Sequence, residues 1–209
     1  MIQPMSEQLT KIAGLAAPLL IDNLDTDQIM PKQFLRTISK EGLDRGLLYD
    51  LRFDGDGQPR TDCILNQPGY EATRILIAGS NFGCGSSREH AVWGLQQFGI
   101  AAVIAPSYGE IFYGNALNNR LLPIMLEQSA IDALVAALAQ AEQPTLEIDL
   151  LAMTITAPDG TLTPFDLAPR SRRMLVDGMD MVALTLQSMP QIVAFEQRHV
   201  AAQPWMRVL

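Results

Sequence analysis

The chain has only two cysteines, Cys63 and Cys84, and two histidines, His90 and His199, among its 209 residues. Two thiols are too few for a disulfide scaffold, a structural zinc site or an iron–sulfur cluster held within the chain. Positive charge is scarce as well: 15 Lys and Arg stand against 23 Asp and Glu, a net charge of −8. That balance repels phosphate backbones and anionic lipid surfaces, and so disfavours nucleic acid and membrane as partners. No apolar run approaches the roughly 20 residues of a membrane span, and residues 1–13 lack a basic stretch leading into an apolar core. Nor does any segment recur as a structural repeat or stand out as low complexity. What remains is 48% hydrophobic content, enough to bury one sizeable core. A single domain over 1–209 is expected, soluble and cytoplasmic, ending in a mainly helical segment over about 168–209.

Short runs rich in Ile, Val, Leu and Ala at Leu15 to Ile21, Arg74 to Ala78 and Ile100 to Ala105 read as buried strands. Between the last two, Ala91, Leu95 and Phe98 recur at helical spacing and Gly99 supplies a stop, which predicts a helix over Ser86 to Phe98. The unit is strand, glycine-rich turn, helix, strand, with the two strands parallel. A second helix is expected from Ser129 to Gln140, with Ser129 and Asp132 spaced as a capping box. Alternation of Leu146, Ile148 and Leu150, then a Pro158-Asp159-Gly160-Thr161 turn, predicts an antiparallel segment over Thr145 to Leu167. Pro169 to Val200 reads as helix with breaks near Gly178 and Pro190. The fold class is α/β, a mixed sheet with flanking helices.

The chemistry concentrates in Gly79-Ser80-Asn81-Phe82-Gly83-Cys84-Gly85-Ser86-Ser87-Arg88-Glu89-His90-Ala91. Three glycines allow positive φ and close backbone approach between a strand end and a helix start, where unpaired N–H groups favour an anion. Arg88 adds a full charge with the fork geometry that suits a carboxylate. No Gly-Lys-Ser/Thr follows, and the glycine spacing departs from the dinucleotide fingerprint, so nucleotide binding is the weaker reading. Ser86 and Glu89 are also spaced as a capping box, a purely structural purpose. Asp22, Asp25 and Asp27 lack the later glycine and glutamate of a calcium loop, so no metal site is assigned.

The Gly79 to Ala91 run resembles the signature of the aconitase superfamily's swivelling domain, a β/β/α fold. Asp25-Thr26-Asp27-Gln28-Ile29-Met30-Pro31-Lys32-Gln33-Phe34-Leu35 and Ile104 to Asn115 resemble the small subunits of the bacterial 3-isopropylmalate dehydratase family, as do Gly178-Met179-Asp180 and Leu184 to Gln187. The resemblance implies a hydro-lyase that interconverts 2- and 3-isopropylmalate through 2-isopropylmaleate in leucine biosynthesis. Ser86 would act as general base, Arg88 would bind a substrate carboxylate and Ser87 would hydrogen-bond the substrate. Asp27, Glu89 and His90 would support the turn. Arg36 falls where the superfamily senses the substituent of the malate, and an arginine there suits an extra carboxylate, so dimethylmaleate, citraconate or homoaconitate types remain alternatives. A non-catalytic anion-binding module is the reading of a different class. Members of the superfamily dehydrate through a 4Fe–4S cluster. With two cysteines the chain carries none of its own, which implies a cluster-bearing large subunit as partner, in a heterodimer or heterotetramer.

Overall fold

A computed structural model describes residues 8–35 and 42–206. Strands β1 (Lys11–Leu19), β2 (Thr73–Ala78), β3 (Ala102–Ala105), β4 (Leu122–Met125), β5 (Thr145–Asp149), β6 (Thr154–Thr156) and β7 (Leu162–Pro164) form one sheet in the order β4-β3-β2-β1-β5-β6-β7. The pairs β1·β2, β2·β3 and β3·β4 are parallel, whereas β1·β5, β5·β6 and β6·β7 are antiparallel. Strand β1 is therefore the seam between a parallel half and an antiparallel meander. From Ile75 in β2 and throughout β3 the parallel strands are buried and read as unbroken apolar runs; β5 alternates buried and exposed positions.

Eight helices accompany the sheet among the described residues: α1 (Thr26–Ile29), α2 (Tyr49–Arg52), α3 (His90–Phe98), α4 (Glu110–Asn118), α5 (Gln128–Ala139), α6 (Pro169–Asp177), α7 (Met181–Leu186) and α8 (Met189–Ala202). One face of the sheet, through Ala17, Leu76 and Val103, packs against Leu24 and Ile29 and against Val92 and Leu95 of α3. The opposite face, through Ile75, Ile77 and Ile104, packs against Ile131, Leu134 and Leu138 of α5 and Leu175 of α6. Helix α3 stops at Gly99, whose φ of 113° lets the Gly99 and Ile100 N–H groups return to Gln96 and Leu95. Helices α7 and α8 bury no residue, and they leave Val182, Leu186 and Phe195 exposed.

The parallel β2–α3–β3 unit, the antiparallel segment after Thr145 and the break at Gly178 match the sequence reading. Pro190 lies in the first turn of α8, where its missing N–H costs nothing. Other expectations are corrected. Strand β1 begins at Lys11, four residues before Leu15, because Lys11 to Leu15 pair with β5, a partner far along the chain. Strand β4 was absent from the reading; it is a short edge strand containing Pro123. Neither predicted capping box forms. Helix α5 starts at Gln128 without a side-chain cap, and α3 starts at His90 rather than Ser86, likewise without one.

The Tyr108 hydroxyl, just after β3, lies within donating distance of the carbonyls of Val103 (2.6 Å) and Ile124 (2.9 Å) and donates to one of them at a time, which ties the loop to β3 and β4. Burial pushes this phenol well above its ordinary pKa, so it stays a neutral donor. Tyr108→Phe is expected to destabilise the fold by about 1–2 kcal/mol, since it leaves strand carbonyls without this donor. Urea unfolding checks this, and an unchanged midpoint would contradict it.

Candidate active site

The loops that follow β1, β2 and β3 converge beyond the C-terminal ends of the parallel strands, the edge where open α/β sheets hold ligands. The loop after β2 lies in the middle. On one side, the Gly83 N–H donates to Leu24 O (2.8 Å) and the Thr26 N–H to Cys84 O (3.0 Å). On the other, the Phe82 N–H donates to Ser107 O (3.1 Å) and the Gly109 N–H to Phe82 O (2.9 Å). Side chains reinforce the clamp: Asp22 Oδ1 accepts from the Ser80 N–H (2.7 Å), Ser107 Oγ from the Asn81 N–H (2.8 Å), and Asn23 Oδ1 from Asn81 Nδ2 (2.8 Å).

Phe82 and Cys84 are bridged to Tyr108 and Asp25, and the chain turns through Gly83 and Gly85 at positive φ before α3 begins at His90. Gly83 has φ of 71°, and a Cβ there would overlap the Phe112 ring. At Gly109 a Cβ would lie 2.6 Å from Gly83 O, so the loop after β3 could not approach if it carried a side chain.

The clamp sets the distances within the site. Ser86 and Ser87 are exposed. Ser86 Oγ lies 2.9 Å from Thr26 Oγ1, which also reaches Ser86 O at 3.1 Å. Thr26 opens α1, and Asp25 caps that helix: its carboxylate accepts from the N–H groups of Asp27 (2.8 Å) and Gln28 (2.7 Å), while Gln28 Oε1 accepts from the Asp25 N–H (3.1 Å). The same turn carries Asp27, whose carboxylate is ion-paired with the Arg88 guanidinium and lies 3.7 Å from Lys32 Nζ. Glu89 turns away from this cluster, accepting at Oε1 from Asn119 Nδ2 (2.6 Å); Asn119 Oδ1 in turn accepts from Trp93 Nε1 (2.9 Å). His90 packs its ring 4.8 Å from that of Trp93. Arg36 lies outside the described residues.

The arrangement brings Ser86, Arg88 and Asp27 together. It separates Glu89 and His90, which face α3 and the end of α4. Exposed hydroxyls one and two residues from a guanidinium are groups whose chemistry suits a carboxylate. Sequence reasoning passed over Thr26 and Asn119. Asp25 and Gln28 have the spacing of a capping box, which could have flagged the turn that positions Thr26. Nothing local to Asn119 marks its link to Glu89, 30 residues away.

A family model described as the aconitase C-terminal domain matches residues 6–129, more than half of the chain and the whole of the clamped site. The chain thus belongs to the aconitase superfamily. A second family model, the C-terminal domain of the 3-isopropylmalate dehydratase small subunit, matches residues 181–207. Among curated relatives, a 3-isopropylmalate dehydratase small subunit 1 of Chromobacterium violaceum is 54% identical over 95% of this chain and 93% of its own length. A small subunit of Phenylobacterium zucineum is 44% identical over 96% of this chain and 98% of its own. Within the superfamily, the chain therefore belongs to the family of 3-isopropylmalate dehydratase small subunits. The crystal structure of a 3-isopropylmalate dehydratase from Methanocaldococcus jannaschii superposes with a TM-score of 0.64 at 28% identity, covering 88% of this chain and 99% of that one.

Gly83→Ala is expected to destabilise the protein by about 2 kcal/mol or more, because it combines positive φ with overlap against Phe112. A thermal midpoint lower by roughly 5 °C or more would follow. A midpoint within a degree of the unsubstituted protein would show that the clamp tolerates a side chain.

Proposed function

We propose that this chain is the small subunit of a hydro-lyase that interconverts 2-isopropylmalate and 3-isopropylmalate through 2-isopropylmaleate in leucine biosynthesis. The observation that carries this reading is 54% identity over 95% of the chain to a 3-isopropylmalate dehydratase small subunit. In this reading the whole chain, 1–209, acts as one domain in a cytoplasmic assembly with a large subunit. The described helices give no span long and apolar enough to cross a membrane. The apolar side chains left exposed on α7 and α8 support work within a larger assembly.

The placement of the site supports the following roles. Arg88, oriented by Asp27, offers its remaining N–H groups to a substrate carboxylate. Ser87, whose side chain has no partner among the described residues, is free to hydrogen-bond the same substrate. Ser86 in its deprotonated form takes a proton from the carbon next to a carboxylate. The C–H electron pair becomes the new double bond as the C–O bond on the adjacent carbon breaks and hydroxide leaves. Hydration then runs backwards with the positions exchanged: hydroxide adds to the carbon that lost the proton, and Ser86 returns the proton to the carbon that lost the hydroxyl. Glu89 and His90 act as supports, through Asn119 and Trp93. Arg36 reads the substituent of the malate.

A 4Fe–4S cluster, which would supply a Lewis acid for the departing hydroxyl, belongs in this reading to the large subunit. The donors of this chain do not fit one. Cys63 is buried among apolar side chains, the Cys84 thiol donates to Asn23 O at 3.4 Å, and among the described residues no group of three or more His, Cys, Asp and Glu converges to hold a metal.

Purified alone, the chain is expected to bind no iron and to turn over no isopropylmalate; activity should appear on adding the anaerobically prepared large subunit. Stoichiometric iron on the lone chain would overturn the assignment. In the reconstituted enzyme Ser86→Ala is expected to lower kcat by about 10²–10⁴-fold with assembly intact, and an unchanged kcat would remove Ser86 from the chemistry. Arg36→Val is expected to alter the ranking of a panel of substituted malates; an unaltered ranking would take substituent recognition away from Arg36.

A further inference from the structure

Thr26 is almost completely buried, with 1% of its surface exposed, and is one of the few buried polar residues in the core. Its hydroxyl faces both oxygens of Ser86, with Oγ at 2.9 Å and the backbone carbonyl at 3.1 Å. A hydroxyl carries one proton, so it can donate to only one of the two at a time. While Ser86 is neutral, a closed loop satisfies every group: Ser86 Oγ–H donates to Thr26 Oγ1, and Thr26 Oγ1–H donates to Ser86 O. Once Ser86 Oγ is deprotonated it can only accept, and the Thr26 proton has a charged acceptor within reach.

We infer that Thr26 is the positioning residue that stabilises the deprotonated form of Ser86, by swinging its hydroxyl proton from the Ser86 carbonyl to Ser86 Oγ. This inference rests on the reading of Ser86 as the base. Helix α3 begins only at His90, so its end does not cap Ser86, and the Arg88 guanidinium pairs with Asp27 rather than with Ser86 Oγ. The Thr26 hydroxyl is thus the donor that the structure sets directly against Oγ. The switch needs no movement of the backbone. Thr26 is locked in place by its own N–H donating to Cys84 O (3.0 Å), by its carbonyl accepting from the Met30 N–H (3.0 Å) and by the Asp25 cap. A torsion about the Cβ–Oγ1 bond is sufficient. A donor to the charged form lowers the pKa of the group it serves, so removal of the Thr26 hydroxyl makes Ser86 harder to deprotonate.

The test uses the reconstituted two-subunit enzyme and isopropylmalate, unlabelled or carrying deuterium on the carbon that loses its proton. Thr26→Val keeps the shape of the side chain and removes the hydroxyl. It is expected to lower kcat by about 10- to 100-fold, to change KM by less than about threefold and to raise the deuterium isotope effect, because proton abstraction becomes slower relative to the other steps. Thr26→Ser is expected to restore both kcat and the isotope effect. A purely structural role for Thr26 would reduce the active fraction and leave the isotope effect unchanged; that outcome, or a Thr26→Val kcat within twofold of the unsubstituted enzyme, overturns the inference. If the valine variant does not assemble, Thr26→Ala takes its place, with the same criteria. Ser86→Ala, run alongside, separates the two levels. If it keeps full kcat, the base assignment falls and Thr26 falls with it. If it loses kcat while the Thr26 variants do not, only the role of Thr26 falls.

Discussion

The segment Phe82 to Cys84 is clamped by backbone hydrogen bonds between the loop after β1 and the loop after β3, and the geometry of the site descends from that clamp. Each such bond contributes only about 1 kcal/mol net. Their collective effect is positional. They hold three loops from three adjacent parallel strands at fixed separation, which brings a threonine and an aspartate from one loop to a serine and an arginine of another, some 60 residues later in the chain. Glycine is required where backbone meets backbone or ring, at Gly83 and Gly109, and the flanking residues are free to carry chemistry.

The sheet provides the rigid base for this. Its parallel strands pack on both faces, against α3 with the loop helices on one side and α5 and α6 on the other. The Glu89–Asn119–Trp93 chain then links the start of α3 to the end of α4. Asp27 is set against Arg88, and the hydroxyls of Ser86 and Ser87 are exposed. The chain belongs to a family of small subunits, and this surface is where the loops after its parallel strands meet.

Much of the scaffold could be read from the sequence, because its signals are local. The apolar runs of β2 and β3, the periodicity of α3 and the Gly99 stop lie within about 30 residues and specify a parallel unit without help from elsewhere. The meander over β5 to β7 is signalled by alternation and by its Pro158–Thr161 turn. The same locality caused the errors. Ser86 and Glu89 satisfy the spacing of a capping box, but Ser86 Oγ is occupied by Thr26, so the cap does not form. The first four residues of β1 depend on Lys11 to Leu15 meeting β5, and the four-residue β4 depends on β3 beside it.

The sequence by itself determined the composition of the site: the glycines, Ser86, Ser87 and Arg88 in one run, Asp25, Thr26 and Asp27 in another, and too few thiols for a cluster within the chain. Only the tertiary structure decided how these runs meet. It paired Asp27 with Arg88, turned Glu89 towards Asn119, delayed α3 to His90 and buried the Thr26 hydroxyl against Ser86. The physical reason is range. Propensity and periodicity act over a few residues, whereas these contacts form only after the sheet has brought segments far apart in sequence to one edge, where the nearest partner in space replaces the nearest in sequence.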